Sequence, residues 1–276
     1  MAERTIALIG CGAIGTSLAT ALSEGKISNA RLVAIFDIIP ERARGLAKTL
    51  KHPVLISESI ADLLNGKPDL LIEAASQAAV QEYAEKVLTS GADLLIMSTG
   101  ALLDKQLYEQ LQRAAEQHQR RIYLPTGAIG AIDAIRATAI GGLQEVTLTT
   151  RKPPQSLAGA PFFTNNKVDL AKISEPQLIY EGPAREAIAL FPANVNVAAI
   201  LSLAGLGAER TKVRIIADPS IRVNIHRIEA AGNSGRISIE LENQPHPMNP
   251  KTSFLAVLSA LELLRQICNP MIKVGT

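Results

Sequence analysis

The chain has 276 residues, 47% hydrophobic and 20% charged, enough to bury a substantial core in one large or two modest domains. Its 28 basic and 26 acidic residues leave a net charge of +2, which gives no basis for a nucleic-acid or anionic-membrane partner. Aromatic residues are only 3%, which argues against a base-stacking platform, and Cys11 and Cys268 are too few and too distant for a disulfide scaffold or a zinc site.

In chain order, the first half alternates short apolar runs with helix-forming stretches. Strands are predicted at Thr5–Ile9, Arg31–Phe36, Leu70–Glu73, Asp93–Met97 and Arg121–Leu124. Helices are predicted at Gly15–Ser23, Pro40–Leu50, Ile60–Leu64, Gln77–Ser90 and Ala101–Gln117. Continuous apolar strands joined by helices predict an α/β fold, a Rossmann-type doubly wound parallel sheet. From Leu143 onward the pattern changes. Glu145–Thr150 alternates and is β-branched, Arg151–Lys167 reads as a loop, and further strands are expected at Gln177–Tyr180, Thr211–Ala217, Val223–Ala230 and Gly235–Glu242. Two apolar helices, Ala184–Phe191 and Asn196–Ala204, accompany them. Residues 245–250 read as a linker and Ser253–Ile267 as an amphipathic helix. The expected organisation is a dinucleotide-binding domain over 1–135, completed by a C-terminal helix in 250–276. A second α/β domain of mostly antiparallel sheet over 136–249 would serve substrate binding, catalysis and dimerisation. No signal peptide precedes the first strand, and no apolar run reaches membrane-spanning length, so a cytoplasmic setting is expected.

The most specific local motif is Gly10-Cys-Gly12-Ala13-Ile14-Gly15, set between a β-branched strand and a helix. Gly10 permits the tight turn, Gly12 admits a pyrophosphate close to the backbone, and Gly15 lets helix and strand approach. Asp37 ends the next strand at about the 20-residue spacing of an acid that binds ribose hydroxyls. The motif calls for a dinucleotide. Asp37 favours NAD, while NADP stays open because Arg42 and Arg44 are near in sequence. Cys11 reads as packing rather than redox chemistry.

Three loops rich in small residues follow strands of the first half. They are Glu73-Ala-Ala75-Ser76, Ser98-Thr99-Gly-Ala101 and Thr126-Gly127-Ala128-Ile-Gly130. Their carboxyl-end position suits approach to the cofactor, with Ala75, Ser98, Thr99 and Ala128 as candidate contacts. In the second half, Asn194 and Asn196 begin an apolar helix. One can cap it while the other, preferably Asn196, reaches the cofactor or substrate. Among four histidines, His226 shares a strand face with Asn224 and follows Asp218, which makes it the candidate acid–base group. Arg151, Lys152 and Lys251 are open candidates for binding substrate carboxylates. No metal-ligand motif and no GxSxG elbow is present.

These motifs, together with Thr149-Thr-Arg-Lys152, Phe191-Pro-Ala-Asn-Val-Asn196, Asn224-Ile-His226 and Asn249-Pro-Lys-Thr-Ser253, resemble the L-aspartate dehydrogenase family over nearly the full length. Thr126 stands where that family more often has serine. The resemblance implies a homodimer that oxidises L-aspartate with NAD(P) to iminoaspartate, which yields oxaloacetate and ammonia or feeds NAD biosynthesis. It assigns His226 as the active-site residue and Ala128 and Asn196 as cofactor contacts. Two alternatives remain at this point: a homoserine- or dihydrodipicolinate-type oxidoreductase, and a non-catalytic NAD(H)-sensing protein.

Overall fold

Short apolar runs ending in glycine or polar turns build the first of two units. The computed structural model describes residues 3–166, 168–192, 195–269 and 271. The side chains of residues 165, 195, 250 and 251 are also outside the described set. The chain divides into Met1–Pro125 with Val257–Thr276, and Thr126–Ala256.

In the first unit, β1 (Arg4–Ile9), α1 (Ala13–Ser23), β2 (Ala30–Phe36), α2 (Pro40–Ala47), β3 (Leu55–Ile56), α3 (Ile60–Asn65), β4 (Leu70–Glu73), α4 (Gln77–Thr89), β5 (Asp93–Ile96), α5 (Lys105–Gln117) and β6 (Ile122–Tyr123) follow one another. The strands lie parallel in the order β3-β2-β1-β4-β5-β6. Ile6, Leu8, Leu70, Ile72 and Leu95 are fully buried, as expected of a sheet covered on both faces. The expected doubly wound sheet is therefore found, with its switch point between β1 and β4. Side-chain caps mark the helix starts: Ser59 accepts from Asp62 N–H, and Ser76 from Ala79 N–H. The helix expected over Ala101–Gln117 divides instead. Thr99–Leu103 forms a 3-10 turn, and Asp104 accepts from Leu107 N–H to start α5 afresh.

In the second unit, α6 (Ile132–Ile140), β7 (Leu143–Lys152), α7 (Pro161–Asn165), β8 (Gln177–Pro183), α8 (Ala184–Leu190), α9 (Val195–Ala204), β9 (Thr211–Ala217), β10 (Asn224–Gly232), β11 (Gly235–Asn243), β12 (Pro245–His246) and β13 (Asn249–Ser253) are found. The sheet order is β11-β10-β7-β9-β8, antiparallel except at β7–β9. Val146, Leu148, Val213, Ile215 and Ile228 bury one face, against which α6, α8 and α9 pack. The residues read as a linker form the β12–β13 hairpin, closed by Met248 N–H donating to His246 Nδ1 at 3.2 Å. Inside the expected loop, α7 is fixed by aromatic contacts. Phe162 stacks on Phe191 with centroids 5.1 Å apart, and Phe163 and Tyr180 pack around the same ring.

The chain then enters α10 (Phe254–Cys268), whose Val257, Ala260, Leu264, Ile267 and Cys268 lie in the first unit's core with Leu8, Leu18 and Ile35. Among the described residues no helix is long and apolar enough to cross a membrane, and no group of acids, histidines and cysteines is arranged to hold a metal.

Candidate functional site

The first cluster forms at the carboxyl ends of β1, β2, β4 and β5. Gly10 has φ +94°, and a Cβ there would lie 2.6 Å from the Ala74 carbonyl oxygen. A Cβ on Gly15 would lie 1.9 Å from the Gly10 carbonyl oxygen. Both glycines are therefore required by the fold itself. Gly12 is different. Its φ is −76°, no side chain caps α1 there, and a Cβ would meet nothing within 4 Å. The protein gives no internal reason for this glycine. An open cradle before an uncapped helix N-terminus, at Ala13, Ile14 and Gly15, fits a dinucleotide's phosphates.

Asp37 does more than its position predicts. Its Oδ2 accepts from Cys11 N–H at 2.7 Å and its Oδ1 from Ile39 N–H at 2.8 Å, so the carboxylate holds the glycine turn while both oxygens keep a lone pair. Cys11 is buried, and burial followed by the Asp37 charge pushes its thiol up to about 12. It is a protonated packing group at neutral pH.

Glu73 organises the neighbouring loops. It is 2% exposed at the end of β4. Its Oε1 accepts from Ala75 N–H, Ser76 N–H and the Ser98 hydroxyl at 2.8–2.9 Å, and Oε2 accepts from Ser98 N–H at 3.0 Å. Burial pushes its carboxyl pKa up, and these four donated bonds pull it the other way. Ala75 and Ser98, both candidate cofactor contacts, are thus tied to one carboxylate. Thr99, buried, starts the 3-10 turn that follows. The sequence showed Glu73 only as an acid closing an apolar strand; that Ser98 would reach it from 25 residues away had no local signal.

The second cluster lies on the buried face of the second sheet, where apolar residues give way to polar ones at the carboxyl end of β7. Thr150 and Lys152 on β7, Asn224 and His226 on β10, and Asn243 on β11 are all buried. Register explains the grouping: His226 faces Thr150, and Asn224 faces Asn243. His226 Nδ1 and Thr150 Oγ1 share a hydrogen bond of 3.0 Å. At 3% exposure, burial first and the Lys152 charge second push the imidazole down to about 3, so it is neutral at pH 7. Asn243 Nδ2 donates to the Ala128 carbonyl at 2.8 Å and fixes the Gly127–Gly130 segment. Gly127 (φ +70°) and Ala131 (φ +59°) both adopt left-handed backbone there, and Ala131 starts α6.

Other expected neighbours fall elsewhere. Asp218 does not pair with His226. Its Oδ2 accepts from Arg151 Nε at 3.0 Å and also from Nη2, and its Oδ1 accepts from Ser220 N–H and hydroxyl. This removes Arg151 from the open cations. Asn196 is the second residue of α9 and exposed, while Asn194 and the Lys251 side chain lie outside the described residues. Thr150 and Asn243 were not found from sequence; the one available signal was polar residues on a strand face that is otherwise apolar.

Two family models match the chain, one described as aspartate dehydrogenase, C-terminal, over residues 133–267, and one as homoserine dehydrogenase, NAD binding domain, over residues 10–125. A protein named L-aspartate dehydrogenase from Methanocella arvoryzae is 46% identical over 98% of this chain and 99% of its own. One of the same name from Nitrosopumilus maritimus is 43% identical over 99% and 100%. The crystal structure of aspartate dehydrogenase from Thermotoga maritima superposes with a TM-score of 0.76, at 28% identity and 99% coverage of both chains. The homoserine dehydrogenase family model thus matches the cofactor domain alone, and the sequence likeness to aspartate dehydrogenases extends through both.

Proposed function

The chain belongs to the L-aspartate dehydrogenase family, and from this we propose that it oxidises L-aspartate to iminoaspartate, with His226 handling the proton. The full-length likeness to L-aspartate dehydrogenases carries the reading. The buried, neutral His226 beside Asn224 and Thr150 supports its chemistry.

NAD, when bound, supplies the acceptor for the hydride that leaves the substrate Cα. The N-terminal N–H groups of α1 at Ala13, Ile14 and Gly15, with Gly12 open beside them, bind the phosphates. Asp37 uses its remaining lone pairs on the ribose hydroxyls, and its charge opposes a 2′-phosphate, favouring NAD over NADP. Ala75 and Ser98, held through Glu73, and the adjacent Thr99 would line the nicotinamide end, and the family resemblance assigns Ala128 and Asn196 as further cofactor contacts. With Nδ1–H donated to Thr150 Oγ1, His226 Nε2 keeps its lone pair. It accepts the proton of the substrate amine as the C=N bond forms, or that of the water that later attacks the imine. Iminoaspartate then hydrolyses to oxaloacetate and ammonia.

The working form is a homodimer in a reducing cytoplasm. The family resemblance supports the first point and two buried free thiols, Cys11 and Cys268, the second. NADH formation across a panel of L-amino acids tests the function. Turnover of aspartate with homoserine inert supports it, and turnover of none points to a nucleotide sensor. Sedimentation equilibrium tests the dimer.

A further inference from the structure

The polar end of the second sheet holds a cation that no acid neutralises among the described residues. Lys152 ends β7 at 4% exposure, on the same face as Thr150 two residues earlier. Its partner on β9 is Ala217, and the next step of the β7–β10 ladder beyond Arg151–Ile225 brings it opposite Asn224. Neither carries charge. Asp218 donates its N–H to the Lys152 carbonyl, yet its carboxylate is taken by Arg151 and Ser220. Glu181, across the β8–β9 pair, is held by Lys212 and Arg214. The titratable neighbour that Lys152 acts on is His226, a second base.

An ordinary surface lysine carries its ammonium to water, and an ordinary buried one is paired. Lys152 does neither, so the fold carries an uncompensated buried amine at the one place where His226 also sits. A cavity of about 670 Å³ in the same unit is lined by Pro153, Asn224, Arg222 and residues of the segment that follows β7, with Lys152 and His226 outside its lining. Asn224, the cross-strand neighbour of Lys152, is the residue the cavity wall shares with the polar end of the sheet.

We propose that Lys152 receives a carboxylate of the substrate and is the residue that makes this site select an anionic amino acid. The proposal rests on the reading that the chain oxidises L-aspartate. It also gives the Lys152–His226 pairing a purpose. In the empty site the amine's charge adds to burial in disfavouring protonation of the imidazole, and a carboxylate placed on Lys152 cancels that added part. Burial alone lowers Lys152 to about 8, which leaves it mostly charged at pH 7 and ready for an anion.

Lys152→Met and Lys152→Arg test the proposal through two readouts. In steady-state kinetics, Lys152→Met is expected to raise KM for L-aspartate about 100-fold, the scale of losing one partner of a buried charge pair. KM for NAD should stay within about twofold, and Lys152→Arg should recover part of the loss. In thermal melts without turnover, succinate, a dicarboxylate with no amine, is expected to raise the wild-type melting temperature and not that of Lys152→Met. An aspartate KM within about threefold of wild type in Lys152→Met, or an equal succinate shift, would overturn the proposal. If Lys152→Met does not fold, loss of the succinate shift in Lys152→Gln set against its retention in Lys152→Arg decides the question. If the wild type turns over no aspartate, the functional reading fails, and the succinate arm still decides whether Lys152 takes a carboxylate.

Discussion

Replacing His226 with Gln removes a titration that burial has displaced. In the folded protein the imidazole is pushed down to about 3 from an ordinary 6.5, first by desolvation and then by Lys152. The unfolded chain therefore binds a proton between these limits that the folded chain refuses. Stability is complete above pH 6.5 and falls as pH drops towards 3, by about 5 kcal/mol over the whole window and about 2 kcal/mol by pH 5. Gln cannot take that proton, yet it can still bond Thr150. Urea unfolding of both proteins from pH 7.5 to pH 4.5 measures the difference directly, because the carboxylate titrations are common to both. Below pH 6.5 the wild type should lose about 1.4 kcal/mol more per pH step than the variant. Parallel stability curves would refute the reasoning and mean that His226 takes up its proton in the folded protein.

The two ends of the glycine turn should respond differently to a methyl group. Gly15→Ala drives a Cβ into the Gly10 carbonyl and is expected to lower the melting temperature by about 10 °C or more. Gly12→Ala meets no protein atom, so it should melt within a few degrees of wild type while KM for NAD rises about tenfold; unchanged KM would leave Gly12 without a role at the phosphates. Glu73→Gln places an amide among four donors, and the loss of partners at Ala75 and Ser98 should cost about 3 kcal/mol in urea unfolding and weaken NADH binding in fluorescence titration. Full retention of both would show that Glu73 does not organise these loops.

What could be read from the sequence was local. Gly10, Gly12 and Gly15 lie within one turn, and the β-branched strand before them and the helix after them are visible in the same stretch, so this strand, turn and helix were legible. Strand alternation placed Asn224 and His226 on one face, and register and burial bear this out. Contacts between distant segments were not legible. The partner of His226 is Thr150, 76 residues earlier, and not Asp218, because strand pairing rather than sequence proximity sets neighbours. Arg151 and Lys152 looked equivalent as adjacent cations; a one-residue step reverses the face, sending Arg151 to Asp218 and burying Lys152. The β12–β13 hairpin was hidden because prolines signal a break, whereas His246 supplies the turn's acceptor through its side chain.

Single-turnover oxidation of L-aspartate by His226→Ala, beside the wild type, is the most direct measurement. NADH should form on the wild type with aspartate, while the variant, binding NADH equally well, should form it at least about 100-fold more slowly, the scale of losing a general base. A wild-type rate in the variant would contradict the assignment of His226, and no NADH from aspartate on the wild type would contradict the function.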